Sequence, residues 1–213
     1  GFALLMSSDP AVRLDDLRGQ RIWVPEGDRP SSLAMEAMNL KEFEFSQNFA
    51  LFWDKLERAN YVLEAVVETA DRPLDDRTVS WLLSRPMQDG GQWEMFTGLV
   101  KKHGVVPKSA MTETESSSNT ARMNANLNYQ MRQGAKKIRD AYTNEAGLDE
   151  LRGIKNDVLQ VIYPILCIHL GAPPAVGDWQ WKDKDGDFSR DGVMTPQEFA
   201  QKYITTPLDD YVC

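Results

Sequence analysis

The stretch SQNFALFWDKLERANYVLEAVVETA, residues 46–70, decides the fold. Its apolar side chains recur mostly three or four residues apart, at Phe49, Phe52, Trp53, Leu56, Leu63, Val66 and Ala70. Because an α-helix turns once every 3.6 residues or so, this spacing places them on one face. The sequence therefore predicts a long amphipathic helix, which Pro73 ends because proline cannot continue a helix.

Shorter helices and a little strand are expected around this long helix. The expected helices cover residues 31–38, 78–84, 92–103, 122–143, 156–170 and 195–203, and strands are expected at 21–24 and 179–181. Pro164 lacks an amide hydrogen and should interrupt or kink the helix that contains it. Residues 112–120 are polar enough for a surface loop. The pattern predicts an α+β fold that is mainly α.

Charge and composition restrict the partners that this chain can bind. Its 213 residues include 24 Lys and Arg against 32 Asp and Glu, a formal charge of −8. Nucleic acids and anionic membranes need a positive protein surface, so neither is an expected partner. No apolar run approaches the roughly 20 residues of a membrane-spanning helix. The two cysteines, Cys167 and Cys213, suit a reducing, cytoplasmic compartment.

Asp89, Gly90, Gly91 and Gln92 form the sharpest local motif. Two glycines before a helix can expose backbone NH and CO groups to an extended peptide, because no Cβ blocks the approach. The alternative is a plain glycine turn with an aspartate that caps the following helix. The motif is thus a candidate peptide-binding segment or an ordinary turn.

Residues 187–198 fit the twelve-residue calcium loop. Oxygen-bearing residues occupy its first, third, fifth and ninth positions, with glycine at the sixth and glutamate at the twelfth. A helix that leads into such a loop is missing from the pattern, since two prolines and a Trp-Gln-Trp alternation precede it. The alternative is a turn between strands that feeds a capped helix.

Few residues offer nucleophilic or general-base chemistry. His103 lies in the last turn of an expected helix, where a polar or cationic group interacts favourably with the helix dipole. His169 lies on the apolar face of the expected helix 156–170 and is interpreted as a buried, hydrogen-bonded histidine. Cys167 lies about 200° around that helix from His169, so the two cannot act as a local pair. A long-range pairing of Cys213 with a histidine stays open.

Several motifs in the rest of the chain occur in the order of one known family. They are NLKEFEFSQN at 39–48, FWDKLER at 52–58, DGGQW at 89–93, HGVVPK at 103–108, LGAPP at 170–174 and DDYVC at 209–213. Residues 39–213 resemble the bleomycin hydrolase and aminopeptidase C family, a branch of the papain-like cysteine peptidases. The resemblance implies a partial papain-like fold, namely its helical half with a family-specific helical insertion.

The resemblance also implies a function. Such enzymes are cytoplasmic thiol aminopeptidases, usually hexamers, that remove N-terminal residues from peptides. Their catalytic cysteine opens a long helix before the motif at 39–48, but residues 1–38 contain no cysteine. Their histidine and asparagine come after the region that matches 209–213. We therefore assign no catalytic residue, metal or cofactor, and expect no turnover from this chain alone.

The resemblance does imply a substrate-binding role for one segment, Asp89, Gly90, Gly91 and Gln92. In papain-like enzymes this segment lines the cleft and pairs with the substrate backbone. The implied partners are a peptide substrate and further copies of the chain. The helix at 46–70 would lack a usual packing partner, which predicts oligomers or aggregates because uncovered apolar patches seek contacts.

Residues 1–38 resemble a different family. The segments 15–28 and 32–38 are similar to periplasmic solute-binding proteins of tripartite organic-acid transporters, although Trp23 stands where many of those proteins hold an arginine that binds carboxylates. We therefore divide the chain into a strand-turn-helix segment of foreign origin, 1–38, and a partial aminopeptidase domain, 39–213. The alternative function is a non-catalytic binding module, for calcium at 187–198 or an organic acid at 15–38.

Overall fold

A computed structural model describes residues 6–7, 22–23, 37–40, 43–205 and 208 of the chain. Strand β1, Met6–Ser7, pairs antiparallel with β2, Ile22–Trp23, which lies inside the strand expected at 21–24. The remainder of the expected organic-acid segment, apart from residues 37–38, lies outside the described residues, as does most of the helix expected at 31–38.

Helix α1, Gln47–Glu68, is the long amphipathic helix that the sequence predicts. The Ser46 hydroxyl caps it and accepts a 3.0 Å hydrogen bond from the Phe49 amide, as a serine before a first turn commonly does. Its apolar face is buried, with Phe52 and Leu63 fully covered. The three-to-four spacing therefore identified the core face correctly.

The remaining elements follow in chain order. They are α2 Arg77–Ser84, α3 Trp93–His103, α4 Glu115–Ser118, α5 Ala121–Thr143, α6 Leu148–Leu170, β3 Gly177–Lys182, β4 Phe188–Met194 and α7 Pro196–Tyr203. Helices α1, α5 and α6 pack together, and α3 lies between α1 and α7. Strands β3 and β4 form an antiparallel pair with an irregular register between Trp179 and Gln180. The described chain is mainly helical, as predicted.

Two glycines allow helices to approach one another closely. Gly104 ends α3 with φ at +75°, which glycine adopts readily because it has no Cβ. A Cβ on Gly104 would lie 2.2 Å from the Pro196 backbone at the start of α7. A Cβ on Gly134 would lie 2.8 Å from a Val158 methyl, so glycine lets α5 approach α6.

Helix α6 differs in its extent and continuity from the predicted helix at 156–170, which Pro164 is expected to interrupt or kink. It begins at Leu148 and continues through Pro164. Its buried face, which includes Leu151 and Leu170, packs against α1 and α5. A missing amide removes one internal hydrogen bond, and packing stabilises the helix despite this loss. The expected interruption is therefore wrong, and the kink stays a prediction.

The polar segment 112–120 is not simply a loop, because it contains the short helix α4. Thr114 and Ser117 cap this helix reciprocally, each side chain accepting from the other's backbone amide. Ser116 is buried, and the Thr114 hydroxyl donates a 2.9 Å hydrogen bond to the His169 carbonyl. Ser and Thr side chains that bond the local backbone explain why a polar run folds here.

Residues 187–198 do not form a calcium loop, and that interpretation is wrong. Most of them belong to strand β4, and an extended chain spreads successive ligand positions by about 3.3 Å per residue. Asp191 instead pairs with Lys202 at 2.6 Å, and Glu198 caps α7 together with Thr195. No set of three metal-ligating side chains converges within the described residues. Of the alternative, the capped helix is confirmed, whereas the turn between the strands lies just before this stretch, at 183–187.

Candidate functional site: the segment before α3

The candidate peptide-binding segment, residues 89–92, lies exposed on the surface and leads into α3. Gln88, which directly precedes it, is also exposed, and residues 88–92 together are called the segment. Gln92 occupies the position before the helix, and no side chain caps the first turn there. Asp89 is therefore not a helix cap, contrary to one of the two interpretations of the sequence. Its carboxylate instead binds side chains from other parts of the chain.

Asp89 ties the segment to two helices. Its Oδ1 lies 2.5 Å from the Nζ of Lys55 on α1, and its oxygens accept hydrogen bonds of 2.8 Å from Thr120 and 2.9 Å from Asn124. Partial burial raises the pKa of Asp89, but these bonds outweigh it and lower the pKa overall. The carboxylate is thus ionised at neutral pH.

Lys55 is a buried cation beneath the segment. Its side chain is 0% exposed, and its Nζ also donates a 3.0 Å hydrogen bond to the Gln88 carbonyl. A buried charge must be paired and hydrogen-bonded because its desolvation is costly. Both partners of Lys55 come from residues directly before Gly90.

Arg58 supports the next residue of the segment. Its Nη2 donates a 2.7 Å hydrogen bond to the Gly90 carbonyl. The same guanidinium is held 2.9 Å from Asp54 Oδ1, four residues earlier on α1. Since residues three and four apart share a helix face, Lys55 and Arg58 reach the segment from the same side.

Neither Gly90 nor Gly91 is required by the local backbone. Neither has a positive φ, and a Cβ added to either would meet nothing within 4 Å. Glycine costs conformational entropy without a compensating contact inside the chain. The backbone of both glycines is therefore open to approach from outside the described fold.

Two open grooves adjoin the segment. One, of about 880 Å³, lies among α1, α2 and α3 and is bordered by the exposed rings of Tyr61 and Trp81. The other, of about 780 Å³, lies between α1 and α3 and includes Trp93. Gly91 and Gln92 line both grooves, so the segment forms the ridge between them.

His103 lies in the last turn of α3, as predicted, and also has specific partners. Its ring stacks on Trp53 with 3.9 Å between centroids, and its Nε2 lies 2.9 Å from Glu57. Partial burial raises the pKa of Glu57, while contacts with Lys102 and His103 lower it, and the net direction is downward. This cluster stabilises the contact between α1 and α3.

His169 is hydrogen-bonded, as predicted, but it is half-buried and not buried as expected. Its Nδ1 lies 2.8 Å from the Ser116 hydroxyl, and its Nε2 lies 3.3 Å from the Asn126 amide. Cys167 on the same helix is half-buried next to Tyr163. Burial and the neighbouring Cys167 raise the pKa of that phenol. The possible pairing of Cys213 lies outside the described residues.

Sequence reasoning found the segment but missed the side chains that hold it. Thr120 and Asn124 gave no sequence signal, because nothing along the chain places α5 beside residue 89. Lys55 did give one, since it follows Phe52 by three residues and precedes Ala59 by four, both on the buried face. A lysine on an apolar helix face predicts a buried partner.

Comparison with known proteins agrees with this geometry. The Peptidase C1-like family matches residues 31–213, and the chain belongs to this family. Aminopeptidase C of Listeria monocytogenes is 45% identical over 82% of the chain and 39% of its own length. Human bleomycin hydrolase is 38% identical over 84% of the chain and 40% of its own length.

A solved structure extends the comparison to the fold. PepW from Lactobacillus rhamnosis aligns with a TM-score of 0.82 and 41% identity, over 85% of this chain and 41% of that one. The resemblance predicted from the motifs between residues 39 and 213 is thereby confirmed at the level of the family. The chain spans about two fifths of the length of these relatives. The described residues contain no helix with the length and apolarity to cross a bilayer.

Proposed function

We propose that this chain is the peptide-binding portion of a cysteine aminopeptidase of the bleomycin hydrolase type. In this proposal the backbone of Gly90, Gly91 and Gln92 pairs with an extended peptide. The observation that carries it is the exposed glycine pair, which has no internal reason to be glycine and lies between two grooves. Membership of the Peptidase C1-like family supports it.

Asp89 has a different role within this proposal. Its carboxylate is occupied by Lys55, Thr120 and Asn124, so it anchors the segment, and the neighbouring glycines contact the peptide. Backbone pairing depends on directed NH and CO groups, and glycine lets a second backbone come close. The substrate side chains then determine little of the binding at these positions.

Hydrolysis by a thiol requires a nucleophile, a base and an oxyanion donor in one place. Within the described residues, Cys167 neighbours Tyr163, and the two histidines bond Glu57 and Ser116. None of these contacts joins a thiol to an imidazole. We therefore propose that these 213 residues alone do not turn over peptides and that the complete peptidase takes its catalytic groups from elsewhere.

The test combines turnover and binding in the 213-residue chain. Aminoacyl-coumarin substrates are supplied with and without iodoacetamide, and binding of a fluorescent tetrapeptide of alanine with a free amino end is followed by anisotropy. The proposal expects saturable peptide binding and no thiol-dependent turnover. Robust turnover that iodoacetamide abolishes would disprove the assigned lack of catalysis, and an absence of binding would disprove the peptide site.

Assembly into homo-oligomers in the cytoplasm is part of the same proposal. Helix α6 leaves Ile168 82% exposed and Val161 48% exposed, and apolar groups seven residues apart lie on one helix face. Such surfaces seek partners. Light scattering that shows a monodisperse monomer at micromolar concentration would contradict this part.

Binding of an organic acid through residues 15–38 stays a prediction, because nearly all of that segment lies outside the described residues. A ligand that binds only the folded state raises the melting temperature. Thermal melts with and without millimolar succinate would test it, and an unchanged melting temperature would count against it.

A further inference from the structure

We propose that Lys55 is a positioning residue for peptide binding, which holds the backbone of Gly90 and Gly91 in place through Asp89 without touching the peptide. This inference rests on the proposed function and adds the residue on which the site depends. Its basis is the geometry around one buried ammonium group.

Lys55 occupies a place where a lysine is costly. Its side chain is fully buried on α1, between turns that carry the equally buried Phe52 and Ala59. Burying an ammonium is unfavourable unless hydrogen bonds and an opposite charge compensate. An apolar side chain of similar length would fill the same space without that cost, so the core itself does not require a charge here.

Both compensating partners belong to the peptide-binding segment. The Lys55 ammonium donates to the Gln88 carbonyl at 3.0 Å and to Asp89 Oδ1 at 2.5 Å. The charge therefore links α1 to the two residues before Gly90. A lysine that served only the stability of the bundle would not need both partners on one exposed segment.

The segment has little other support. Within the described part of the chain, backbone-to-backbone hydrogen bonds involve it only at Gln92, whose carbonyl accepts from Met95 and Phe96. Residues 88–91 depend on side chains: Lys55, Thr120 and Asn124 through Asp89, and Arg58 through the Gly90 carbonyl. Removing the ammonium leaves Asp89, whose side chain is 52% exposed, held only by Thr120 and Asn124.

Pre-positioning affects binding directly. When a peptide pairs with a mobile backbone, ordering that backbone costs conformational entropy and weakens binding. A backbone that is already held in place does not lose this entropy on binding. Loss of the Lys55 bonds should therefore weaken peptide binding while leaving the bundle folded, because methionine replaces the aliphatic part of lysine.

The experiment compares Lys55→Met with Lys155→Met in the full 213-residue chain. Lys155 is a matched control because its side chain is also mostly covered and pairs with a carboxylate, Glu64, at 2.6 Å, but on α6 and outside the segment. The probe is the fluorescent alanine tetrapeptide. The readouts are its Kd, the melting temperature, and the NMR order parameters of the Gly90 and Gly91 amides.

We expect Lys55→Met to raise the peptide Kd by about tenfold or more, the size of one lost charge-assisted interaction. The order parameters of both glycines should fall in that variant. Lys155→Met should leave the Kd and the glycine order parameters unchanged. A purely structural role for Lys55 predicts a lower melting temperature with an unchanged Kd in the folded protein, which would overturn the inference.

A second variant guards against a failure of Lys55→Met to fold. Asn124→Ala removes the bond to Asp89 from α5, on a half-buried helical position where alanine is well tolerated, and should raise the Kd by about threefold. Unchanged affinity in this folded variant would also overturn the inference. No binding by the wild-type chain would disprove the proposed function, whereas equal binding by the wild type and Lys55→Met would disprove only the role of Lys55.

Discussion

The α1, α5 and α6 bundle and the segment at residues 88–92 are stabilised by different forces. The bundle is packed with side chains that have no access to water, among them Phe52, Ile138 and Ile162. The segment is exposed and depends on a few directed bonds to Asp89 and Gly90. The stabilisation from apolar packing is a sum over many contacts, whereas the position of the segment depends on a few hydrogen bonds between single atoms. A single substitution can therefore disable the segment while the bundle stays folded.

The largest expected effect is on the bundle. Phe52→Ala should lower the free energy of unfolding by about 3–5 kcal/mol, because it removes a fully buried ring and leaves a cavity. Urea denaturation followed by circular dichroism measures it. Tyr61→Ala, at a 68% exposed position on the same helix, is the control and should cost far less. A cost below 1 kcal/mol for Phe52→Ala would show that this helix is not the core.

The next effect concerns the ion pair between Lys55 and Asp89. Removing Asp89 should cost more stability than removing Lys55. Asp89→Ala leaves the buried Lys55 ammonium with only the Gln88 carbonyl and should cost about 2 kcal/mol. Lys55→Met leaves a half-exposed carboxylate that water solvates, so it should cost less than about 1 kcal/mol. Urea melts of both variants decide it, and equal costs would mean that the lysine is not truly desolvated.

A smaller loss of stability is expected at low pH, and it distinguishes the bundle from the segment. The pKa of Asp89 is lowered in the fold, and bonds from Lys155 and Arg152 lower the pKa of Glu64 on α1. A lowered carboxylate pKa contributes stability above the unfolded-state value, and this contribution is lost as pH falls through the folded-state value. Stability should therefore hold from neutral pH to about 5 and decline below about 4.

Two different measurements, peptide affinity and stability, distinguish Asp89 from Glu64 in that experiment. Acid should weaken tetrapeptide binding through Asp89, and Glu64→Gln should reduce the acid-dependent loss of stability without changing how affinity depends on pH. Chemical denaturation and anisotropy at pH 7 and pH 3.5 measure the two. If Glu64→Gln altered the pH dependence of the affinity, the two regions would be coupled.

The smallest effect on stability is expected at the site itself. Gly91→Ala should change the free energy of unfolding by less than about 0.5 kcal/mol, because the new methyl group meets nothing and φ is not positive. It should nonetheless weaken peptide binding about tenfold, since a Cβ then stands between the two backbones. Gly153→Ala, equally open on α6, is the control and should leave affinity unchanged. Unaltered affinity in Gly91→Ala would show that the peptide does not bind at this segment.

Most of the helices could be predicted because local spacing specifies them. The apolar face of α1 and the approximate bounds of α3 followed from local spacing. The first two turns of α6 were missed although Leu148, Leu151 and Ile154 recur three residues apart there, because Gly153 weakens the local helix signal and packing against neighbouring helices stabilises it. The calcium interpretation failed because a ligand pattern says nothing about whether the chain is extended.

The candidate site was only partly predictable. The glycine pair was visible, because glycines before a helix are a local signal. The role of Asp89 was not, because its partners Lys55, Thr120 and Asn124 are 31–35 residues away along the chain. Contacts at that separation depend on how helices are arranged, which no local pattern encodes.

The sequence by itself determined the helical character, the family and the exposed pair of glycines, since these depend on periodicity, on ordered motifs and on the lack of a Cβ. Only the tertiary structure decided what those glycines are attached to. Helices α1 and α5 meet beside residue 89 because their apolar faces pack together, and that packing brings a buried lysine to the segment. The physical reason is that burial and charge pairing arise between distant parts of a chain, and they exist only once the core has formed.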